Sequence, residues 1–158
     1  MTQTLRRMQK KRAAGDGGFT LVELLVVVVI IGVLVAIAVP MYLNYRKGAA
    51  NKSAESDVRA AVSAVEQFYT ENGNKYPADA HAEDGANVTF AALATGASPQ
   101  TATLSPGNSM QYKNKGDGSY RICAQNADGK DVYIYDSATG GSVKKAAHQD
   151  LQGCIDNG

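Results

Sequence analysis

From Leu24 to Val39 the chain runs through sixteen residues without a charge or a strong polar group. Counted from Phe19, the stretch is about long enough to cross the ~30 Å hydrocarbon core of a bilayer as a helix. Five basic residues, Arg6, Arg7, Lys10, Lys11 and Arg12, stand before it against one acid, Asp16. That asymmetry keeps the N-terminus cytoplasmic and puts everything after Pro40 outside. With those six residues set aside, 11 of the 16 basic and 14 of the 15 acidic residues remain. The remainder is mildly acidic, and its bulk charge gives no footprint for nucleic acid. A length of 158 residues leaves room for one domain beyond the apolar segment.

Two plain readings fit the apolar run alone. One is a secretory signal peptide, with Ala36-Ile37-Ala38 as its small-residue cleavage site. The other is an inert single-pass anchor. Glu23 suits neither, because an acid near the start of an apolar segment costs insertion energy that neither has reason to spend. A carboxylate in lipid needs a cation. A cut before Phe19 creates one, a free α-amino group four residues from Glu23 and about one helical turn away. In a bundle of such helices the amine of an arriving copy meets Glu23 of a copy already in place, which gives assembly a register and a driving force.

Gly18-Phe19-Thr20-Leu21-Val22-Glu23-Leu24 resembles the processing motif of the type IV pilin and pseudopilin superfamily, and the likeness extends through the apolar run. The resemblance implies that prepilin peptidase cuts after Gly18 on the cytoplasmic side and methylates the new amine of Phe19. Gly18 is then required because a side chain there obstructs the cut. Glu23 matches the buried glutamate implicated in methylation and subunit docking. Gly32 and Pro40 stand where the family helix has its breaking residues. Proline in any case removes a donor and crowds the carbonyl four residues earlier, so this part of the helix could extend in a filament.

A signal peptide stops being helical at its cleavage site, whereas here the helical pattern continues. Val58, Val62, Val65 and Tyr69 follow i, i+4, i+7, i+11 spacing with Ala54, Ala61 and Phe68 beside them. Glu55, Ser56, Arg59, Ser63 and Glu66 are assigned to the other face, and Asn72-Gly73 supplies a stop. A helix from Phe19 to Asn72 has a length of about 80 Å. Gly48 within it costs ~1 kcal/mol against alanine. The apolar stripe reads as packing surface without chemistry.

Past Gly73 the pattern dissolves into a long connection. Tyr76-Pro77, which resembles the opening of the pilin loop, lies near its start, and Phe90–Leu93 is expected to be pinned inward. Met110–Lys113, the turn Gly116-Asp117-Gly118 and Tyr120–Gln125 then predict a hairpin. Asp128-Gly129 predicts a second, into Val132–Tyr135. Tyr120, Ile122 and Ala124 are expected on one side, as are Val132 and Ile134, in a three- or four-stranded antiparallel meander against the helix. If this head is exported, Cys123 and Cys154 form a disulfide by default, tying the tail to a central strand and contributing roughly 3–4 kcal/mol. The resemblance agrees, since many pilins carry a C-terminal disulfide.

His81 and His148 stand alone in polar surroundings, and no nucleophile elbow, phosphate loop or H-E-x-x-H pattern occurs. Asn126, Asp128 and Asp131 lack the spacing of a calcium loop and read as a hairpin turn. Lys144-Lys145 reads as a solvated pair.

The expected fold class is α+β, one long N-terminal helix packed on a small antiparallel sheet. Its parts are a leader, 1–18; a transmembrane and filament-core helix, 19–43; an amphipathic half, 44–72; and a head, 73–158. The expected function is that of a non-enzymatic structural subunit of a type IV pilus, without cofactor or metal. Expected partners are copies of itself in a helical filament, prepilin peptidase, the pilus assembly machinery of the plasma membrane, and the membrane itself. Nucleic acid is expected only in a filament that takes up DNA. The precursor is placed in the plasma membrane with its head outside, and the polymer outside the cell. Two alternatives stand: a pseudopilin of a type II secretion or DNA-uptake system, and a secreted soluble binding domain cut after Ala38.

Overall fold

The computed structural model describes residues 18–93 and 97–158. The basic residues of the leader lie outside the described residues. Two compact units divide between Tyr42 and Leu43, and a single helix, α1 (Leu21–Glu71), contributes to both.

In the first unit every described side chain is exposed. Valine and isoleucine are mediocre helix formers in water. In lipid, however, a spanning segment must satisfy its own backbone groups, and a helix does so. Gly32 and Pro40 both lie inside α1, which continues through them. The helix-breaking assignment therefore does not describe the single chain. Pro40 deletes one backbone donor, and the residues on either side keep helical geometry.

The second unit is built in layers. Its sheet has five strands in the order β1 (Ala80–Ala82), β4 (Asn108–Asn114), β5 (Tyr120–Asn126), β6 (Val132–Asp136) and β7 (Lys144–Lys145), all antiparallel. A separate ribbon pairs β2 (Val88–Phe90) with β3 (Gln100–Ala102). The helix stripe at the sheet is Ala54, Val58, Ala61, Val65 and Phe68, all fully buried. Val62 and Tyr69 sit at its margin, half-buried. Against it pack Met110, Tyr112, Tyr120, Ile122 and Ala124, each large apolar side chain contributing on the order of 1.5–3 kcal/mol. The rings of Tyr69, Tyr76 and Tyr120 pack in series as tilted pairs with centroids 4.6 and 4.9 Å apart. Tyr120 donates its phenolic proton to Glu66 at 2.6 Å, and burial first, then this bond, holds its pKa far above the ordinary range.

Register separates residues that alternation alone had grouped. Ile122 pairs with Tyr135 and Cys123 with Ile134. Val132 and Ile134 therefore share the outer face with Cys123, while Tyr133 and Tyr135 accompany Ile122 toward the helix. A short C-terminal helix, α2 (Leu151–Asn157), covers that outer face with Cys154 and Ile155. Strand β5 is consequently buried on both faces. Phe90 is buried as expected, but Leu93 is 52% exposed.

Three polar devices join helix and sheet. Asp57, read from sequence as nothing in particular, is buried. It accepts the Ser105 amide at 2.6 Å, the Ser105 hydroxyl at 3.0 Å and the Asn108 side-chain amide at 2.5 Å. Asp57→Ala leaves these donors unanswered in the core, so a loss of about 2–3 kcal/mol is expected. Thermal unfolding of the full chain in detergent measures it, and an unchanged midpoint contradicts the assignment. At the helix end, Asn72 donates to the Phe68 carbonyl and accepts the Leu93 amide at 2.8 Å.

The third device is the β5–β6 turn. Asn51 donates to Asp131 at 2.8 Å and Arg46 to Asp128 at 3.0 Å. Gly129 lies so close that a Cβ there meets Asn51 Oδ1 at 2.1 Å and the Asn51 backbone nitrogen at 2.9 Å. Only glycine permits that approach. Gly129→Ala is expected to detach the turn from the helix and speed hydrogen exchange at Asp131. Wild-type exchange in that variant excludes the clamp.

Candidate functional site

Gly18 to Thr20 have no regular secondary structure, and the helix begins at Leu21. The Leu24 amide donates to the Thr20 carbonyl at 3.3 Å, which makes Thr20 the N-cap. The Glu23 amide donates to Thr20 Oγ1 at 3.3 Å, and the Thr20 amide donates to Glu23 Oε2 at 2.8 Å. This reciprocal pair is a capping box. The Thr20 hydroxyl also donates to Oε2, again at 2.8 Å.

These contacts revise the sequence reading of Glu23. Its carboxylate is not waiting without a partner in the single chain, because Thr20 engages one oxygen. Oε1 accepts no hydrogen bond among the described residues. One oxygen fixes the rotamer and the other remains open to a cation. Thr20 was missed as a site residue, although Thr-x-x-Glu ahead of an apolar run is a recognisable helix start.

Gly18 is exposed, and a Cβ built on it meets nothing within 4 Å. The chain's own fold therefore does not require glycine there. Phe19 is 79% exposed, and the apolar side chains from Leu21 to Leu43 remain about half exposed or more. So continuous an apolar surface marks an interaction surface. By length and composition this is the one helix among the described residues able to cross a membrane.

Cys123 and Cys154 form a disulfide across 31 residues with Cα atoms 6.2 Å apart. Arg121 on the same outer face donates to the Ile155 carbonyl at 2.9 Å and clasps Asp136 at 2.8 and 3.0 Å. Burial pushes the Asp136 carboxyl up in pKa, but Lys115 and Arg121 outweigh it and the net displacement is downward. Among the described residues no group of three or more His, Cys, Asp or Glu is arranged to hold a metal ion. Asp128 and Asp131 point to Arg46, Asn51 and Lys145 instead.

The family model for the prokaryotic N-terminal methylation motif matches residues 14–39, the segment that holds the Thr20–Glu23 cap and the whole apolar run. The type II secretion system core protein G of Aeromonas hydrophila is 39% identical over 70 residues, 44% of this chain and 46% of that protein. The type IV major alpha-pilin of Moraxella bovis is 25% identical over 115 residues, 73% of this chain and 72% of that one. These likenesses support a place in the type IV pilin and pseudopilin superfamily. A third relative, the type IV major pilin protein PilA of Myxococcus xanthus, is 39% identical over 54 residues, 34% of this chain and 24% of its own. The chain spans under half the length of the first curated relatives it matches. No solved structure matches. The α+β fold, with a long N-terminal helix and a small antiparallel sheet, is consistent with that of a pilin. Pilins and pseudopilins of this kind are structural subunits rather than enzymes.

Proposed function

We propose that this pilin-like chain is a structural subunit of a type IV pilus, held in the plasma membrane as a precursor and assembled into an extracellular filament. The observation that carries the reading is the Glu23 carboxylate: positioned by Thr20, open at Oε1, and set at the head of the exposed apolar part of α1. Prepilin peptidase removes 1–18, and the absence of any structural need for glycine at Gly18 fits a demand imposed by the enzyme. The amine of Phe19 is then methylated. Residues 19–43 span the membrane and later form the filament core, 44–72 carry the head, and 73–158 are displayed outside. Docking pairs the Phe19 amine of an incoming copy with Oε1 of Glu23, without dismantling the cap. Gly32 and Pro40, helical in the single chain, are where the helix extends on assembly. The pilus assembly machinery in the plasma membrane drives the transfer.

A second reading, a pseudopilin of a type II secretion system, draws support from the 39% identity to core protein G. The disulfide and the longer alignment with the alpha-pilin favour the pilus. Mass spectrometry of the mature protein tests the shared part, with a methylated Phe19 expected at the N-terminus; a chain starting at Val39 overturns both filament readings. Electron microscopy of cells with and without the gene separates the two. Loss of surface filaments supports the pilus, and intact filaments with a block in protein secretion support the pseudopilus.

A further inference from the structure

The sheet of the second unit ends in two edges of opposite charge. At the β1 edge, His81 and Glu83 alternate outward, and His81 lies beside Gln111 of β4. With Asp79, Lys113 and Gln152 they line an open groove of about 430 Å³. Two carboxylates, Asp79 and Glu83, line it against one ammonium, Lys113, which Asp156 already engages at 3.0 Å. Among the described residues no ion pair engages Glu83.

At the other edge, β7 consists of Lys144 and Lys145, both exposed. Beside it a notch of about 240 Å³ is lined by Arg59, Tyr135, Ser142 and Val143, among others. Lys52 and Arg59 share the single carboxylate of Glu55, and Lys145 takes Asp131 at 2.7 Å. Lys52 and Lys145 both lie close to the Tyr133 side chain. Four cations thus meet two carboxylates here, and Lys144 has no ion pair among the described residues.

Four strand spacings of ~4.8 Å separate the edges by roughly 19 Å, too far for them to neutralise each other in one molecule. Charged side chains on edge strands do discourage unwanted strand pairing. That role is served equally well by one sign on both edges, and it needs no concavity. Opposite signs at opposite ends of one sheet, each beside a recess, form a self-complementary surface that does not close on itself. Repetition of such a head-to-tail contact generates an open helical array.

We propose that the acidic β1 groove of one copy receives the basic β7 edge of the next, with Lys144 directed to Glu83. This contact rests on the filament reading and adds to it a lateral register for the heads.

The test uses the full chain in cells that carry its assembly machinery, with wild type in parallel. Lys144→Glu with Lys145→Glu is expected to lower sheared filament yield at least about fivefold, since exposed pairs are individually weak but several act together. Adding Asp79→Lys and Glu83→Lys to the same chain is expected to restore the yield to within about twofold. Independently, Glu83→Cys with Lys144→Cys is expected to give a ladder of multimers when filaments are treated with a short bismaleimide. Each single variant gives monomers only. A ladder together with charge-swap rescue supports the contact. Abundant filaments without a ladder, or failure of the swap to rescue, overturn it. Absence of filaments from wild type itself refutes the filament reading, a different failure with a different signature.

Discussion

Glu23→Ala is expected to leave the chain cut after Gly18 and held in the membrane, and to abolish surface filaments. The cut depends on what the peptidase meets at Gly18 and Phe19, five and four residues away, where Glu23 makes no hydrogen bond. Assembly depends on Oε1, the oxygen that the capping box leaves open. Alanine removes cap and charge together, so Glu23→Gln is the more telling variant. Glutamine serves in a capping box as well as glutamate does, and it cannot pair with an ammonium. It should retain the helix start and still fail to assemble. Immunoblots of sheared filaments, with the mature chain quantified in the membrane fraction, read both variants. Wild-type filament amounts from Glu23→Gln would falsify charge pairing as the docking interaction.

The second large effect is expected from Cys123→Ser with Cys154→Ser. The bond closes a span of 31 residues and contributes roughly 3–4 kcal/mol by loop-closure entropy. Its loss also frees α2, which is too short to persist by its own helical stability. Without α2, Val132 and Ile134 become accessible to water. For a head of this size the unfolding midpoint should fall by about 12–32 °C, at ~4–8 °C per kcal/mol. Thermal unfolding of the full chain in detergent measures it. A fall of less than about 4 °C shows that Arg121 and Ile155 hold α2 unaided.

The helix, the three long strands, their two turns and the disulfide were all legible in the sequence. Each rests on a repeated local signal: an uncharged run, alternation, glycine with aspartate, or a cysteine pair beyond a membrane. What escaped notice depends on pairings that no local window contains. The faces of β6 follow from its register with β5, which sets Ile134 opposite Cys123 rather than Ile122. Asp57 looks like any surface acid until Ser105 and Asn108, about fifty residues away, come to meet it. Strands β1, β2 and β3 are three residues each, below the length at which alternation can be read. Helix α2 contains Gly153 and has seven residues, so propensity argues against it, and its stability comes from the disulfide and from Arg121. Thr20 is a different kind of miss. Its motif was present, but attention to the charge of Glu23 obscured its part in a cap.

Strand β5 takes its inner cover from Phe68 and Val65 and its outer cover from Ile155 and Cys154. Those two covers enter the chain about ninety residues apart, and the outer one comes near the described end. On the proposed topology the N-terminus stays inside and the head emerges from its membrane-proximal end, so the chain carries its central strand across the membrane half clothed. The helix and meander can associate early, but the sheet stays open on one side until residues 151–157 emerge and Cys123 is oxidised.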